Sequence, residues 1–229
     1  MTTTATHQPP PLQWVGAFVD ERVREIQHGY LQDRSGAVST LAQLRRGAGK
    51  TIADAPELWG LTLDDRFYAN APRRWFTRYE TEDDKKNQER AENAAHIALT
   101  LYAVHQQSRR EERMHQRGPD LGAAVRRMMP PGEIDEPLRR RFVQVGTAHD
   151  MPTLAYRLRE VVVMLRRDAV PLDYGLLADR IHHFQQPGGK KDVRALWGRS
   201  FHASSARPAE APDAAPDTPT ETETDEDTA

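Results

Sequence analysis

Cysteine is absent from all 229 residues. Disulfides, iron–sulfur clusters and thiolate zinc sites are thereby excluded, and the absence agrees with a reducing compartment. Long apolar runs are missing as well. No stretch approaches a membrane span, and the opening MTTTATHQPPP has neither a charged start nor an apolar segment, so neither export signal nor anchor is expected and a cytoplasmic location is. No Gly-x-Ser-x-Gly nucleophile motif occurs, and no carboxylate pair stands out from the surface charge. No catalytic residue is therefore assigned, no enzymatic activity is expected, and no cofactor is implied. Lysine is scarce, since 27 of the 32 basic residues are arginine. Arginine favours phosphate through its planar fork of donors, yet a chain rich in alanine and proline also reflects a GC-rich genome. The ratio alone decides nothing.

One stretch imitates a nucleotide site. LAQLRRGAGKT, Leu41 to Thr51, ends like a phosphate-binding loop, but the glycine required five residues before Gly49 is Leu44, and no strand precedes it. Ala37, Val38, Leu41 and Leu44 instead recur at helical spacing, with Gly47 placed to stop the helix in the left-handed conformation. The segment reads as a helix ending in Arg45 and Arg46, a glycine cap, and Lys50 just beyond.

What fills the rest of the chain is helical periodicity, with no alternating run, so the fold is expected to be all-α. A first helix spans about Leu12 to Tyr30, with Val15, Phe18, Val19, Val23, Ile26 and Tyr30 on one stripe. Short turns follow around Pro56 and Pro72, carrying Trp59 and Trp75. A long helix is expected from about Asn87 to Gln107, where Ala91, Ala94, Ala95, Ala98, Leu101 and Tyr102 suit close packing at the centre of a bundle. Beyond the charged RREERMHQRGPD come helices over Leu121–Met129, Glu136–Ala148, Thr153–Asp168, Tyr174–Gln186 and Lys191–His202. Their short connections imply antiparallel neighbours. The expected division is a disordered N-terminus (1–11), an N-terminal helical bundle (12–108), a C-terminal helical bundle (109–202) and a disordered acidic tail (203–229), the two bundles forming an elongated subunit.

That tail hides a basic body. It holds eight acidic residues against Arg207 alone, so the chain's net charge of -2 becomes +5 without it. It lacks large apolar residues and cannot offset its ordering entropy. Two readings of it stand: a solvated segment that aids solubility, or an acidic mimic of nucleic acid resting on a basic face.

Metal chemistry finds little support. Two Glu-x-x-His pairs of the kind used by di-iron bundles occur, Glu25 with His28 and Glu112 with His115, but one lies on a polar helix side and the other in the charged hinge. Neither is expected to point into a core, and no metal ligand is assigned. Basic clusters are more informative, because they recur beside apolar stripes: Arg45-Arg46, Arg126-Arg127, Arg139-Arg140-Arg141, Arg166-Arg167, Lys190-Lys191 with Arg194, and Arg199. From Arg109 to Phe201 there are 18 basic against 12 acidic residues. Arg159 and Arg166, seven apart, share a flank next to the core stripe of Leu154, Leu158, Val161 and Leu165. Such a flank either tracks a phosphate backbone or covers apolar surface with its stems and pairs with Glu160 or Asp168.

The C-terminal third, LAYRLREVVVMLRRDAVPLDYGLLADRIHHFQQPGGKKDVRALWGRSF, resembles the CasB family, the small subunit of the type I-E CRISPR surveillance complex Cascade. LAQLRRG, AAHIALTLYAVHQQS and RGPDLGAAVRRM fit the same pattern in the same order, so the likeness spans roughly Val15 to Phe201. One departure is Ser200, where an acidic residue is expected to bridge Arg199 or Arg194. The resemblance implies an all-helical, non-catalytic subunit present in two copies packed head to tail. Its implied partners are the Cascade backbone and large subunits, a second copy of itself, the CRISPR guide RNA, and the target and displaced DNA strands. The residues that match the family's basic positions are Arg45, Arg46, Arg117, Arg126, Arg159, Arg166, Arg194 and Arg199. Arg139, Arg140 and Arg141 are added on local charge density. The alternative function is an architectural helical adaptor that docks acidic protein surfaces without touching nucleic acid.

Overall fold

The computed structural model describes residues 9–72 and 81–205, and no strand occurs among them. The expected tail lies outside the described residues from residue 206 onward, as do Trp75 and most of the expected disordered N-terminus. The helices are α1 (Trp14–Leu31), α2 (Ser35–Leu44), α3 (Trp59–Thr62), α4 (Asp65–Asn70), α5 (Glu82–Gln106), α6 (Leu121–Arg127), α7 (Glu136–Gly146), α8 (Met151–Arg167), α9 (Tyr174–Phe184) and α10 (Gly189–Ser205). Three-residue 3-10 turns at Arg45–Gly47, Ile52–Asp54 and Pro56–Leu58 fill the link from α2 to α3. The chain is all-α, as its periodicity requires.

α5 is the axis of the molecule. Every residue from Ala94 to Gln106 is buried, because α1, α2, α8 and α9 all pack around this stretch. Alanine at 91, 94, 95, 98 and 103 lets those neighbours approach closely, while Leu101 and Tyr102 fill the gaps between them. The helix starts at Glu82, earlier than periodicity suggests. Thr81 and Asp84 form a capping box there, in which the Thr81 hydroxyl accepts the Asp84 N–H at 3.1 Å. A polar opening turn carries no apolar signal, and only the cap marks it.

α1 buries its whole stripe, Val15, Phe18, Val19, Val23, Ile26 and Tyr30. Its first turn is held from far along the chain. The Asp179 carboxylate of α9 accepts the backbone N–H groups of Gln13 and Gly16, both at 2.7 Å, which supplies partners that no residue next to α1 provides. Burial pushes the Asp179 carboxyl above its ordinary range even against those two bonds. α1 therefore packs on α9, and the core runs continuously from Val15 through α5 to Trp197 and Phe201. The expected boundary at 108/109 falls just past the end of α5, where Ser108 is in the left-handed region at φ 63°.

Asp residues start most of the later helices. Asp120, Asp135, Asp150 and Asp173 each accept an N–H in the first turn of the helix that follows. Asp150 with Pro152 starts α8 at Met151, two residues before the expected start. α10 continues to Ser205, so the first residues assigned to the tail are helical.

Candidate nucleic-acid interface

The turn after α2 and the outer flank of α8 meet at one glycine. Gly49 sits at φ +86°, and a β carbon there would stand 2.9 Å from Cδ of Arg159 and 3.5 Å from its Cβ. The left-handed residue is thus Gly49 and not Gly47, as periodicity suggested. Gly47 is required for another reason: it is buried against Leu58 and Thr100, with a β carbon placed 2.6 Å from Leu58 Cδ1. The 3-10 turn continues α2 through Arg45 and Arg46, so the chain reverses two residues later.

This contact gathers cations from distant parts of the sequence. Arg46 and Lys50 are exposed on the turn, Arg45 is half-buried, and Arg159 is exposed on α8 with its stem on the glycine. Lys50 lies close enough to Asp54 to act on its carboxylate, which is held below its ordinary range chiefly by the Thr51 hydroxyl and backbone N–H. Arg166 lies two helical turns further along α8, ~10 Å away along the axis. Its Nη1 donates to Gln107 Oε1 at 3.0 Å, and beside it Arg109 donates to the Arg166 and Arg167 carbonyls at 2.6 and 2.8 Å. Arg109 thereby satisfies the last turn of α8 and fixes Arg166 at the edge of an open groove lined by Gln107 to Glu112. Glu160 lies on the far flank of α8, and the pairing of Arg166 with Asp168 is not formed: Asp168 pairs with Arg167.

The remaining candidates divide by what holds them. Arg117 reaches inward, its Nη1 2.6 Å from the fully buried Asp173 and its Nη2 on the Pro10 carbonyl at 2.7 Å. Arg126 is buried and donates to the carbonyl of Pro130 at 3.0 Å, closing the end of α6. Arg139 pairs with Glu136 at 3.0 Å on the exposed side of α7, and Arg140 donates to the Glu136 carbonyl at 3.4 Å. Arg141 is exposed. Arg194 donates from Nε to the Gly146 carbonyl at 3.0 Å, tying α10 to the end of α7, and Arg199 is exposed on α10. Around Arg139 and Arg194 lies a shallow apolar groove of about 190 Å³, floored by Phe142, Trp197 and Phe201.

Ser200 has its own partner. Its hydroxyl donates to Oδ1 of Asp120 at 2.5 Å, and the same oxygen accepts the Gly122 N–H at 2.7 Å. Burial pushes the Asp120 carboxyl above its ordinary range, although these bonds oppose the shift. An acidic side chain at 200 would face this carboxylate, so serine at this position is consistent with aspartate at 120.

His115 corrects an expectation. It is 4% exposed and lies inside the protein, while Glu112 stays outside. Its ring lies among Asp20, Asp173 and Tyr174, with Nε2 2.9 Å from Asp20 Oδ1 and Nδ1 accepting the Tyr174 N–H at 3.2 Å. Asp20, His115 and Asp173 cluster closely enough for metal ligation. Both ring nitrogens are nevertheless engaged by the protein, and the Arg117 guanidinium already neutralises Asp173. The arrangement is an internal ion-pair lock joining α1, the residue 115–117 segment and α9. Burial pushes the Asp20 carboxyl up, but the hydrogen bond and charge of His115, with Arg24 and Arg117, outweigh it and hold the group below its ordinary range. Only a long-range contact reveals this cluster, because its members are 95 and 58 residues apart.

Comparison with known proteins agrees with the fold and the order of these segments. The family model described as CRISPR-associated protein Cse2 matches residues 40–202. A crystal structure of CasB from Thermobifida fusca is 63% identical in sequence, superposes with a TM-score of 0.74, and is matched over 84% of this chain and 99% of that one. A search of curated proteins finds no match.

Proposed function

The chain belongs to the Cse2 (CasB) family of type I-E Cascade, and from that premise we propose that it is a non-catalytic subunit whose basic surface holds the guide RNA–target DNA hybrid and the displaced strand. Exchanging a DNA duplex for an RNA–DNA hybrid is close to balanced in free energy, so a few phosphate contacts that favour the open form decide the outcome. Base pairing reads the sequence, and this subunit needs charge rather than base-edge recognition. The observation that carries the reading is the seat of the Arg159 stem on Gly49, which sets the outward flank of α8 against the turn that carries Arg45, Arg46 and Lys50. Arg166, Arg141 and Arg199 extend the outward charge. Arg117 and Arg126 serve the assembly by fixing the ends of α6 and α9, and act on nucleic acid only through that framework. A second reading, an adaptor that docks acidic protein surfaces, is favoured by the apolar groove rimmed by Arg139 and Arg194.

Purification of the tagged protein from its native host separates the two. Recovery with larger Cascade subunits and RNA of uniform length, and crosslinking of Arg46 or Arg159 peptides to nucleic acid, is the expected result. Recovery with protein partners but without RNA or crosslinks would favour the adaptor.

A further inference from the structure

The outward ridge of α8 carries a large apolar side chain where a purely electrostatic surface needs none. Tyr156 is 57% exposed, the most open large hydrophobic residue among those described, and Val163, seven residues on, is 38% exposed. Seven residues make two helical turns, so the two side chains share one ridge. Arg159 and Arg166 run alongside on one flank, Arg159 against Gly49 and Arg166 against Gln107. Arg157, next to Tyr156, is turned away and donates to the Gln144 carbonyl at the end of α7, which fixes α8 beneath the ridge. The Tyr156 ring is therefore mounted on a rigid, well-buried helix beside a row of cations.

We propose that Tyr156 is a stacking platform for an unpaired base of a single-stranded nucleic acid whose phosphates lie along Arg159 and the Arg46–Lys50 turn. This deepens the function proposed above and rests on it. A π face beside a line of cations is the arrangement that binds single strands without reading sequence, because every base has a face to stack and every nucleotide a phosphate to neutralise. Charge complementarity selects this occupant over a protein: α8 carries Arg157, Arg159, Arg166 and Arg167 against a single acid, Glu160, which neighbours the ring on the side opposite Arg159. Val163 extends the apolar strip by two turns, enough for the sugar and base of an adjacent nucleotide. A duplex offers no free base face, so the platform distinguishes the displaced strand from the hybrid.

The test compares two fluorescently labelled strands of equal length and charge, one a mixed-sequence single-stranded DNA and the other a fully abasic strand, binding to the full chain. The base-bearing strand is expected to bind on the order of tenfold more tightly. Tyr156→Ala removes that preference while leaving the abasic strand's affinity and salt dependence unchanged, and Tyr156→Phe keeps it. Equal binding of the two strands to the unsubstituted protein, or equal loss in the Ala and Phe variants, would overturn the platform and leave the phosphate-holding function standing. Failure of both strands to bind would overturn both. A Tyr156→Ala protein that keeps its base preference but no longer co-purifies with Cascade subunits would assign the ridge to a protein contact instead.

Discussion

The stem of Arg159 lies on Gly49, with room at that point for a hydrogen and not for a methyl group. This contact joins residues 110 positions apart and gives the cations of the α2 turn a common surface with those of α8. Backbone conformation and side-chain placement are coupled there, since the glycine permits both the positive φ and the close approach.

Substitution of Gly49 by alanine tests that coupling. The left-handed backbone costs a β-bearing residue ~1–2 kcal/mol, and the added carbon displaces the Arg159 stem. A fall of several degrees in Tm is expected, together with weaker nucleic-acid binding. Gly60→Ala, at a glycine with nothing within 4 Å of the added carbon and no positive φ, should leave binding unchanged.

Mild acid should destabilise the protein through its buried histidines. Burial lowers His96 to about 4 and His105 to about 3, whereas both have ordinary values near 6.5 in the unfolded chain. The unfolded state thus binds more protons below pH 6.5. Stability is full above that pH and declines as the pH falls toward the folded values, by roughly 1–2 kcal/mol per histidine at pH 5. Asp120 and Asp179, whose values are raised by burial, act with the opposite sign, stability rising as the pH falls through their folded values. Thermal unfolding at pH 7.5 and pH 5 measures the fall. His105→Phe removes one contribution to it, and its slope between the two pH values should be shallower than that of the unsubstituted protein.

Ser200→Asp should be strongly destabilising at neutral pH. It puts a second carboxyl against the buried Asp120, which already accepts bonds from Ser200 and from Gly122. A loss of about 2 kcal/mol or more is expected, with partial recovery in the Asp120→Asn background. Urea unfolding of the single and double variants measures the coupling.

Much of this architecture is legible in the sequence because burial imposes periodicity. The α1 stripe and the alanines of α5 each repeat at helical spacing, and their faces pack as that spacing implies. What escapes is whatever one part of the chain does for another. Asp179 caps α1 from 163 residues away, and His115 is drawn inside by Asp20 although its neighbours Glu111, Glu112 and Arg113 are exposed. Gly47 carries a glycine signal at the right helix end, but close packing explains it and the reversal falls on Gly49. Arginine content signals a basic surface. It does not separate Arg126, closing α6 from within, from Arg159, which faces outward. Tyr156 carries a cue in its polar-side position beside Arg159, which no apolar periodicity or motif marks.

Truncation after Ser205 changes the net charge from -2 to +5. If the acidic segment rests on the basic face as a nucleic-acid mimic, truncation strengthens DNA binding by the isolated chain at low salt, and the added segment in trans reverses the gain. A merely solvated segment gives a smaller gain that a peptide in trans does not reverse. Fluorescence anisotropy with a labelled single strand distinguishes the two.

The salt dependence of target-DNA binding by the assembled complex tests the central claim most directly. With Arg46→Ala and Arg159→Ala together, the slope of log K against log salt should fall by about 1.5, matching two lost phosphate contacts, while circular dichroism and subunit composition stay the same. An unchanged slope and affinity in that well-folded, fully assembled complex would contradict the account and make the cluster at Gly49 a structural feature alone.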